Sequence, residues 1–281
     1  DVDMVVLNPA GTSRFYDNRR QGIFSDISDR AGLDFVGQPS SIVMGDYNND
    51  GYLDIFSADL SAEHHAIFKN KGDGTFIKDK KSLAGVFGLN EFSAIQAKFA
   101  DLDNDGYLDI LVAGSAAESD KKKDGLILLH NDGYGKYTDA SATLPSGSSP
   151  IEHIYTIDLD NDGDLDIIQI NDLGQLQALR NDGGNLNNYL KIRLAGLRTG
   201  RSKNNYCGIG SKLEVKSGGL YQTQSVNNPV SHFGLGKRDR ADVVRVIWSN
   251  GVPQNRFIPQ KNQTIVETQI LKGSCPYLYA W

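Results

Sequence analysis

Short apolar segments separated by polar turns rich in glycine, asparagine and aspartate run through the chain. In the first half, segments such as IFSADL (55–60) and ILVAG (110–114) have the length of buried strands. In the second half, YLKIRL (189–194) and VVRVIW (243–248) alternate apolar and polar positions, which predicts strands with one buried face. NDG and GDG sequences between such segments are typical of hairpin turns. The pattern therefore predicts an all-β protein.

A nine-residue block occurs three times in the first half, at intervals of 55 and 57 residues. Its copies are DYNNDGYLD (46–54), DLDNDGYLD (101–109) and DLDNDGDLD (158–166). Each copy lies between two apolar segments, which predicts strand, loop, strand. A second element repeats in step with the block and predicts a hairpin. Its copies are FKNKGDGTFIKD (68–79), LLHNDGYGKYTD (128–139) and the shorter ALRNDGG (178–184).

Each repeat supplies about four short strands over about 50–60 residues, which is typical of one propeller blade. A solenoid of stacked hairpins is the alternative, and it is also all-β. The chain opens inside a repeat, because Asp3 matches the ninth position of the block and residues 14–33 supply the hairpin that follows. We expect a partial β-propeller of three to four blades, a fragment of a larger propeller. Further blades would lie upstream or in a partner chain.

The charge changes sign along the chain and suggests where the propeller ends. Residues 1–187 carry 31 acidic and 15 basic side chains, a net charge of −16, whereas residues 188–281 carry 4 and 14, a net charge of +10. The reversal falls at the loop NDGGNLNN (181–188). We therefore expect propeller blades over 1–187 and a smaller β-rich domain over 188–270. Residues 271–281 form a C-terminal tail that we expect to be truncated.

The block places oxygen-bearing side chains at positions 1, 3, 5 and 9, with a backbone carbonyl available at position 7. Calcium binds 6–8 oxygens at about 2.3–2.6 Å, and a tight loop around glycine can supply them. We predict three calcium sites. Their side-chain ligands are Asp46, Asn48, Asp50 and Asp54; Asp101, Asp103, Asp105 and Asp109; and Asp158, Asp160, Asp162 and Asp166. The carbonyl ligands are those of Tyr52, Tyr107 and Asp164.

Other interpretations of the block are weaker. An EF-hand has glutamate at position 12, where this chain has Ser57, Val112 or Gln169. Magnesium prefers a smaller, hydrated octahedral site, and zinc prefers histidine or cysteine ligands. The remaining alternative is that the three blocks are Asp/Asn-rich turns that bind no metal, but three matching copies make this improbable. Because Asn48 replaces an aspartate, we expect the first site to bind calcium most weakly.

The sequence gives no indication of catalysis, so we predict a protein that is not an enzyme. The five histidines and two cysteines fall in no metalloprotease or nucleophile motif, and no phosphate-binding loop is present. No apolar run approaches the roughly 18–20 residues that cross a bilayer, so we expect no membrane span. Cys207 and Cys275 allow one disulfide or two free thiols.

The basic residues of the second half leave three interpretations open. They are Arg198, Arg201, Lys203, Lys237, Arg238 and Arg240. They form a solvated surface, they dock against the acidic propeller, or they bind an acidic glycan or another acidic polymer at the cell surface. Nucleic acid is not an expected partner, because no stacking aromatic residues are interleaved with them.

The repeated blocks and several phrases of the second half resemble sequences of known families. The phrases GDYNNDGYLDIF and ADLDNDGYLDIL resemble FG-GAP/VCBS-type calcium-binding propeller repeats. The phrases CGIGSKLEVKSGG (207–219) and SHFGLGKRDRADVVRVIWSNGVPQN (231–255) resemble an ASPIC/UnbV-type domain, as in the cartilage acidic protein family and its bacterial relatives. The resemblance implies a secreted or cell-surface, non-enzymatic module for adhesion, recognition or assembly, with a protein or acidic glycan as partner. The alternative is the carbohydrate-binding, lectin-like portion of a larger carbohydrate-active enzyme.

Overall fold

A computed structural model describes residues 3–8, 12–19, 21–116, 125–145, 149–197 and 204–270. The predicted tail 271–281 lies outside these residues, as do Arg198, Arg201, Lys203 and Cys275. The Cys207–Cys275 pairing therefore stays a prediction. Within the described residues, no helix combines the length and the apolar character that crossing a membrane requires.

The described part of the chain is built from short strands, and the all-β prediction is confirmed. The first-half strands are β1 (Met4–Val6), β2 (Arg14–Asn18), β3 (Phe24–Asp26), β4 (Pro39–Gly45), β5 (Asp54–Asp59), β6 (Ala66–Asn70), β7 (Phe76–Asp79), β8 (Phe92–Ala100), β9 (Asp109–Ala116), β10 (Gly125–Asn131), β11 (Tyr137–Asp139), β12 (Ile151–Ile157), β13 (Asp166–Asn171) and β14 (Leu176–Leu179). The helical segments are α1 (Ser28–Ala31) and 3₁₀ turns at Phe87–Glu91, Ser141–Thr143 and Gly184–Leu186.

The first-half strands form four consecutive antiparallel sheets in a propeller-like array. The N-terminal sheet has the order β1-β2-β3, and the first blade has the order β4-β5-β6-β7. The second blade has the order β11-β10-β9-β8, and the third has the order β12-β13-β14. Hairpins connect neighbouring strands within each sheet, as the two repeated elements predict.

Apolar side chains fill the spaces between successive sheets. Phe56 of β5 packs in a cluster with residues of the second blade, whereas its neighbour Ile55 packs against the N-terminal segment. Likewise, Ile110 faces the first blade and Leu111 faces the third blade. Successive side chains of a strand point to opposite faces, so a strand buried on both faces has a continuous apolar sequence. This is why the segments after each block are uniformly apolar rather than alternating.

The third blade differs from the prediction of four strands per repeat. It has three strands in the described residues, because the chain leaves the blade after β14 through the 3₁₀ turn at Gly184–Leu186. The next strand, β15 (Asn188–Ala195), pairs with strands of the second half instead. The shortened hairpin sequence ALRNDGG (178–184) accounts for the difference.

The second half is a two-sheet sandwich around one apolar core. After β15 its strands are β16 (Lys212–Ser217), β17 (Leu220–Ser225), β18 (Ser231–Gly236), β19 (Val243–Ile247), β20 (Pro253–Phe257) and β21 (Gln263–Thr268). One sheet has the order β18-β15-β21, with β15 and β21 parallel, and the other has the order β17-β16-β19-β20. Leu190, Ile192 and Leu194 of β15 face the core that also contains Trp248 and Phe233. The alternate residues of β15 therefore lie on the opposite face of the sheet.

Candidate metal centres

The three nine-residue blocks fold as tight loops at equivalent places in successive blades. We name them the first loop (46–54, between β4 and β5), the second loop (101–109, between β8 and β9) and the third loop (158–166, between β12 and β13). The sixth-position glycines Gly51, Gly106 and Gly163 have φ of 92°, 95° and 103°, which side chains with a Cβ rarely adopt. The amide of each glycine donates to the first-position aspartate, at 2.9, 2.9 and 3.0 Å. This hydrogen bond folds each loop back onto its first ligand.

Each loop brings at least three acidic side chains together. The groups with ligand atoms all within 4.8 Å of one another are Asp46, Asp50 and Asp54; Asp101, Asp103 and Asp105; Asp103, Asp109 and His130; and Asp158, Asp160 and Asp166. Of the other predicted side-chain ligands, Asp162 accepts from the Asn185 side chain at 2.9 Å and lies outside the third group. Asn48 accepts from the Asp50 amide at 3.0 Å within the first loop.

The seventh-position residues differ among the loops. Tyr52 is about half exposed, Tyr107 is more buried and Asp164 is fully buried. The side chain of Asp164 accepts from the Asn185 amide at 3.1 Å through Oδ2, whereas its Oδ1 atom is buried without a hydrogen bond. The assignment of the seventh-position carbonyls as ligands stays a prediction.

The ninth-position aspartates tie each loop to the hairpin of its own blade. Asp54, Asp109 and Asp166 accept from the amides of Asn70, Asn131 and Asn181, at 2.8, 2.9 and 2.8 Å. These asparagines belong to the second repeated element, which explains why the two elements recur in step. The ninth-position carboxylates are almost fully buried.

Burial makes the loop carboxylates difficult to ionise when they are considered alone. It raises the pKa of Asp46 to about 7 and that of Asp54 to about 8. Burial also raises the pKa of Asp101 well above its usual range, and the neighbouring Asp105 and Asp109 add to the effect. A charged carboxylate is stable in such a place only beside a cation or several hydrogen-bond donors.

Two buried carboxylate oxygens within these acidic groups have no hydrogen-bond partner in the described residues. They are Oδ2 of Asp54 and Oδ1 of Asp158. Asp54 is completely buried, and the Asp158 side chain is 5% exposed. Buried polar atoms almost always have a partner, and a cation held by the acidic group would supply one to each of these oxygens.

Asparagines at the fourth position link one loop to the next. Asn49 and Asn104 have left-handed φ of 56° and 58°. The Asn49 side chain donates to the Gly106 carbonyl at 3.0 Å, and Asn104 donates to the Gly163 carbonyl at 2.9 Å. The contact runs from a fourth position to the sixth position of the following loop in both cases. Hydrogen bonds from asparagine side chains to backbone carbonyls therefore connect the first loop to the second and the second loop to the third.

His130 is a site residue that the sequence interpretation missed. It immediately precedes Asn131, and its Nδ1 atom lies 3.1 Å from Asp109 and 3.8 Å from Asp103. The hydrogen bond to Asp109 raises the pKa of His130 to about 9. The equivalent residues of the other hairpins are Lys69 and Arg180, so a basic residue beside the asparagine was the available signal.

The second half of the chain covers the loops. The Gly234 amide of β18 donates to Asp101 at 3.1 Å, and the Lys191 ammonium of β15 pairs with Asp158. The Lys212 ammonium lies 3.4 Å from the Gly51 carbonyl. The two halves therefore contact each other at all three loops.

The three predicted basic residues that the structure describes do not make these contacts. Lys237 donates to the Leu186 carbonyl at 2.7 Å, Arg238 donates to the Leu235 carbonyl at 3.1 Å, and Arg240 is exposed. The loops are contacted instead by strand residues from β15, β16 and β18, which the composition of the second half did not single out.

Comparison with known proteins gives two family matches. Residues 1–57, 46–112 and 101–169 match FG-GAP-like repeat, and residues 200–270 match ASPIC and UnbV. Each repeat match ends shortly after one of the three loops. The resemblance inferred from the sequence is thereby confirmed.

The similar curated proteins are longer than this chain. Cartilage acidic protein 1 of Homo sapiens is 27% identical over 269 residues, which cover 91% of this chain and 40% of that protein. The protein of the same name from Mus musculus is 25% identical over 277 residues, covering 94% of this chain and 42% of that protein. This chain thus spans about two fifths of the length of these relatives. By its repeat matches over residues 1–169, the chain belongs to the FG-GAP-like repeat family, and it carries an ASPIC and UnbV domain after the repeats.

Proposed function

We propose that this chain is a calcium-stabilised, non-enzymatic module that acts outside the cytoplasm in adhesion, recognition or assembly. The proposal of bound calcium rests on two buried carboxylate oxygens, Asp54 Oδ2 and Asp158 Oδ1, which lie within acidic groups and have no hydrogen-bond partner in the described residues. Oxygen donors predominate in all three loops, and calcium prefers oxygen donors. A divalent cation in each loop would satisfy these atoms and reduce the repulsion among the carboxylates.

The proposed location follows from the calcium requirement. Loops with partly exposed ligands, such as Asp50 in the first loop, are suited to weak or moderate calcium affinity. Extracellular modules function with dissociation constants of about 10⁻⁴–10⁻³ M, which cytosolic calcium would leave empty. The name of the relatives, cartilage acidic protein 1, also suggests an extracellular setting. We therefore propose a secreted or cell-surface protein whose partner is a protein or an acidic glycan.

Calcium titration of the full chain tests the proposal. The wild type should bind three calcium ions, one in each loop. Asp54→Asn, Asp109→Asn and Asp166→Asn each neutralise a buried ninth-position ligand, so each variant should lose one ion. Asp73→Asn is the matched control, because Asp73 is an exposed turn aspartate whose contacts among the described residues lie within its own hairpin. The proposal fails if the wild type shows no saturable calcium binding.

A further inference from the structure

The third loop holds its first-position aspartate differently from the other two loops. Asp46 and Asp101 each accept backbone N–H groups on both carboxylate oxygens, from the fifth and sixth positions. Asp158 accepts the Gly163 amide on Oδ2, and the same oxygen pairs with the Lys191 ammonium. Its Oδ1 atom is buried and has no hydrogen bond. The third loop thus already contains a positive charge beside its first ligand.

The fold fixes Lys191 in this position. Lys191 lies on β15 opposite His232 of β18, between the core residues Leu190 and Ile192. Its side chain therefore points away from the sandwich core and toward the third loop. The ammonium lies 5.2 Å from the centroid of the Tyr189 ring, and the Lys191 side chain is only 10% exposed. Water consequently screens this charge poorly.

The lysines near the first loop are in a different situation. Lys69 pairs with Asp50 at 3.1 Å, but its side chain is 43% exposed. Lys212 is 38% exposed and pairs with Glu214 at 3.0 Å, within its own domain. Both lysine charges are therefore screened by solvent or by a nearby carboxylate outside the loop. At the second loop the His130 side chain is also 38% exposed, so solvent screens that charge as well.

We propose that Lys191 makes the third loop the weakest of the three calcium sites. This inference rests on the proposed calcium function, and it revises the expectation that Asn48 makes the first loop weakest. Charges a few ångströms apart inside a protein interact more strongly than in water, because the effective dielectric constant is about 20 rather than 80. The Lys191 ammonium therefore directly opposes a divalent cation bound through Asp158 Oδ1, whereas Asn48 only removes one formal ligand charge from the first loop.

The arrangement also links calcium to the contact between the two halves. Lys191 belongs to the second half, whereas Asp158 belongs to the repeats. Coupling free energies are reciprocal. Because the Lys191–Asp158 contact weakens calcium binding, bound calcium weakens that contact by the same free energy. Calcium bound in the third loop therefore weakens this contact between the two halves.

Calcium titration of full-chain variants tests this inference. Lys191→Met and Lys191→Gln both remove the charge, and glutamine keeps a hydrogen-bond donor. We expect both to tighten the weakest site by at least about tenfold and to leave the other two sites unchanged. Adding Asp166→Asn to either variant should abolish the tightened site, which assigns it to the third loop. Lys212→Met is the matched control, and it should leave the weakest site unchanged.

The outcomes separate this inference from the proposed function. If three ions bind but neither Lys191 variant tightens the weakest site, Lys191 does not set calcium affinity and the inference is overturned. If the methionine variant weakens the site and the glutamine variant restores it, Lys191 acts by positioning Asp158 rather than by its charge, which also overturns the inference. If no calcium binds to the wild type or to any variant, the proposed function itself is wrong.

Discussion

Asn104 of the second loop lies where the repeats contact the second half of the chain. It is fully buried, and its side chain donates to the Gly163 carbonyl at 2.9 Å and to the Gly184 carbonyl at 3.1 Å. The Nε2–H group of His232 donates to its Oδ1 atom at 2.5 Å. Asn104→Ala removes all three hydrogen bonds and leaves their partners buried and unsatisfied.

The equivalent asparagines allow the size of this effect to be worked out. A buried group left unsatisfied costs about 1–3 kcal/mol, and an alanine in the left-handed region costs about 1–2 kcal/mol. With about 1 kcal/mol for each of the three partners left unsatisfied and about 1–2 kcal/mol for the backbone, Asn104→Ala should lower the free energy of unfolding by about 4–5 kcal/mol. Asn49→Ala, which loses one hydrogen bond, should lower it by about 2–3 kcal/mol. Asn161 has the same backbone conformation but is exposed and makes no side-chain hydrogen bond in the described residues. Asn161→Ala should cost only about 1 kcal/mol.

Urea unfolding of the three variants in saturating calcium measures this series directly. The same backbone change is made in each, so the differences report the side-chain hydrogen bonds. We expect the order Asn161, Asn49, Asn104 from least to most destabilising. Equal losses of stability for Asn104→Ala and Asn161→Ala would refute the assignment of Asn104 as the link between loops and domains.

Two further predictions concern the contact between the halves. A Cβ on Gly163 would overlap the Tyr189 ring, whereas one on Gly74 would meet open space. Because both glycines have positive φ, Gly163→Ala should destabilise the protein by at least about 2 kcal/mol more than Gly74→Ala in urea unfolding, and equal effects would contradict this contact. Burial lowers the pKa of His232 from 6.5 to about 4. Between these pH values the folded state binds fewer protons than the unfolded state, so the protein becomes less stable as the pH is lowered. From pH 7.5 to pH 5 the wild type should lose about 2 kcal/mol more than His232→Gln, and parallel pH profiles would show that His232 is not held neutral.

The loops and blades were accessible from the sequence because their determinants are local. Asp46, Asn48, Asp50, Gly51 and Asp54 fall within nine residues, and the hydrogen bonds that shape the loop join positions within that span. The repeat then shows that the same local structure occurs three times. The third blade has three strands in the described residues instead of the predicted four, and the shortened hairpin sequence ALRNDGG (178–184) was a local sign of this difference.

The covering of the loops depends on contacts that no local pattern encodes. Gly234 and Asp101 are 133 residues apart, and Lys191 and Asp158 are 33 residues apart across the predicted domain boundary. The parallel pairing of β15 with β21 is equally remote in sequence. Alternation in YLKIRL correctly indicated that Lys191 faces away from the core, but it gave no indication that another domain lies on that face.

We propose that calcium in the three loops stabilises the folded chain by satisfying their buried carboxylates. Calorimetric melting of the full chain in millimolar calcium, in millimolar magnesium and in EDTA tests it most directly. At a calcium concentration about ten times the dissociation constant, each filled site adds about 1.4 kcal/mol to the free energy of unfolding. We therefore expect a melting temperature several degrees higher in calcium than in EDTA, with magnesium close to EDTA. Identical melting temperatures in calcium and in EDTA would contradict the claim.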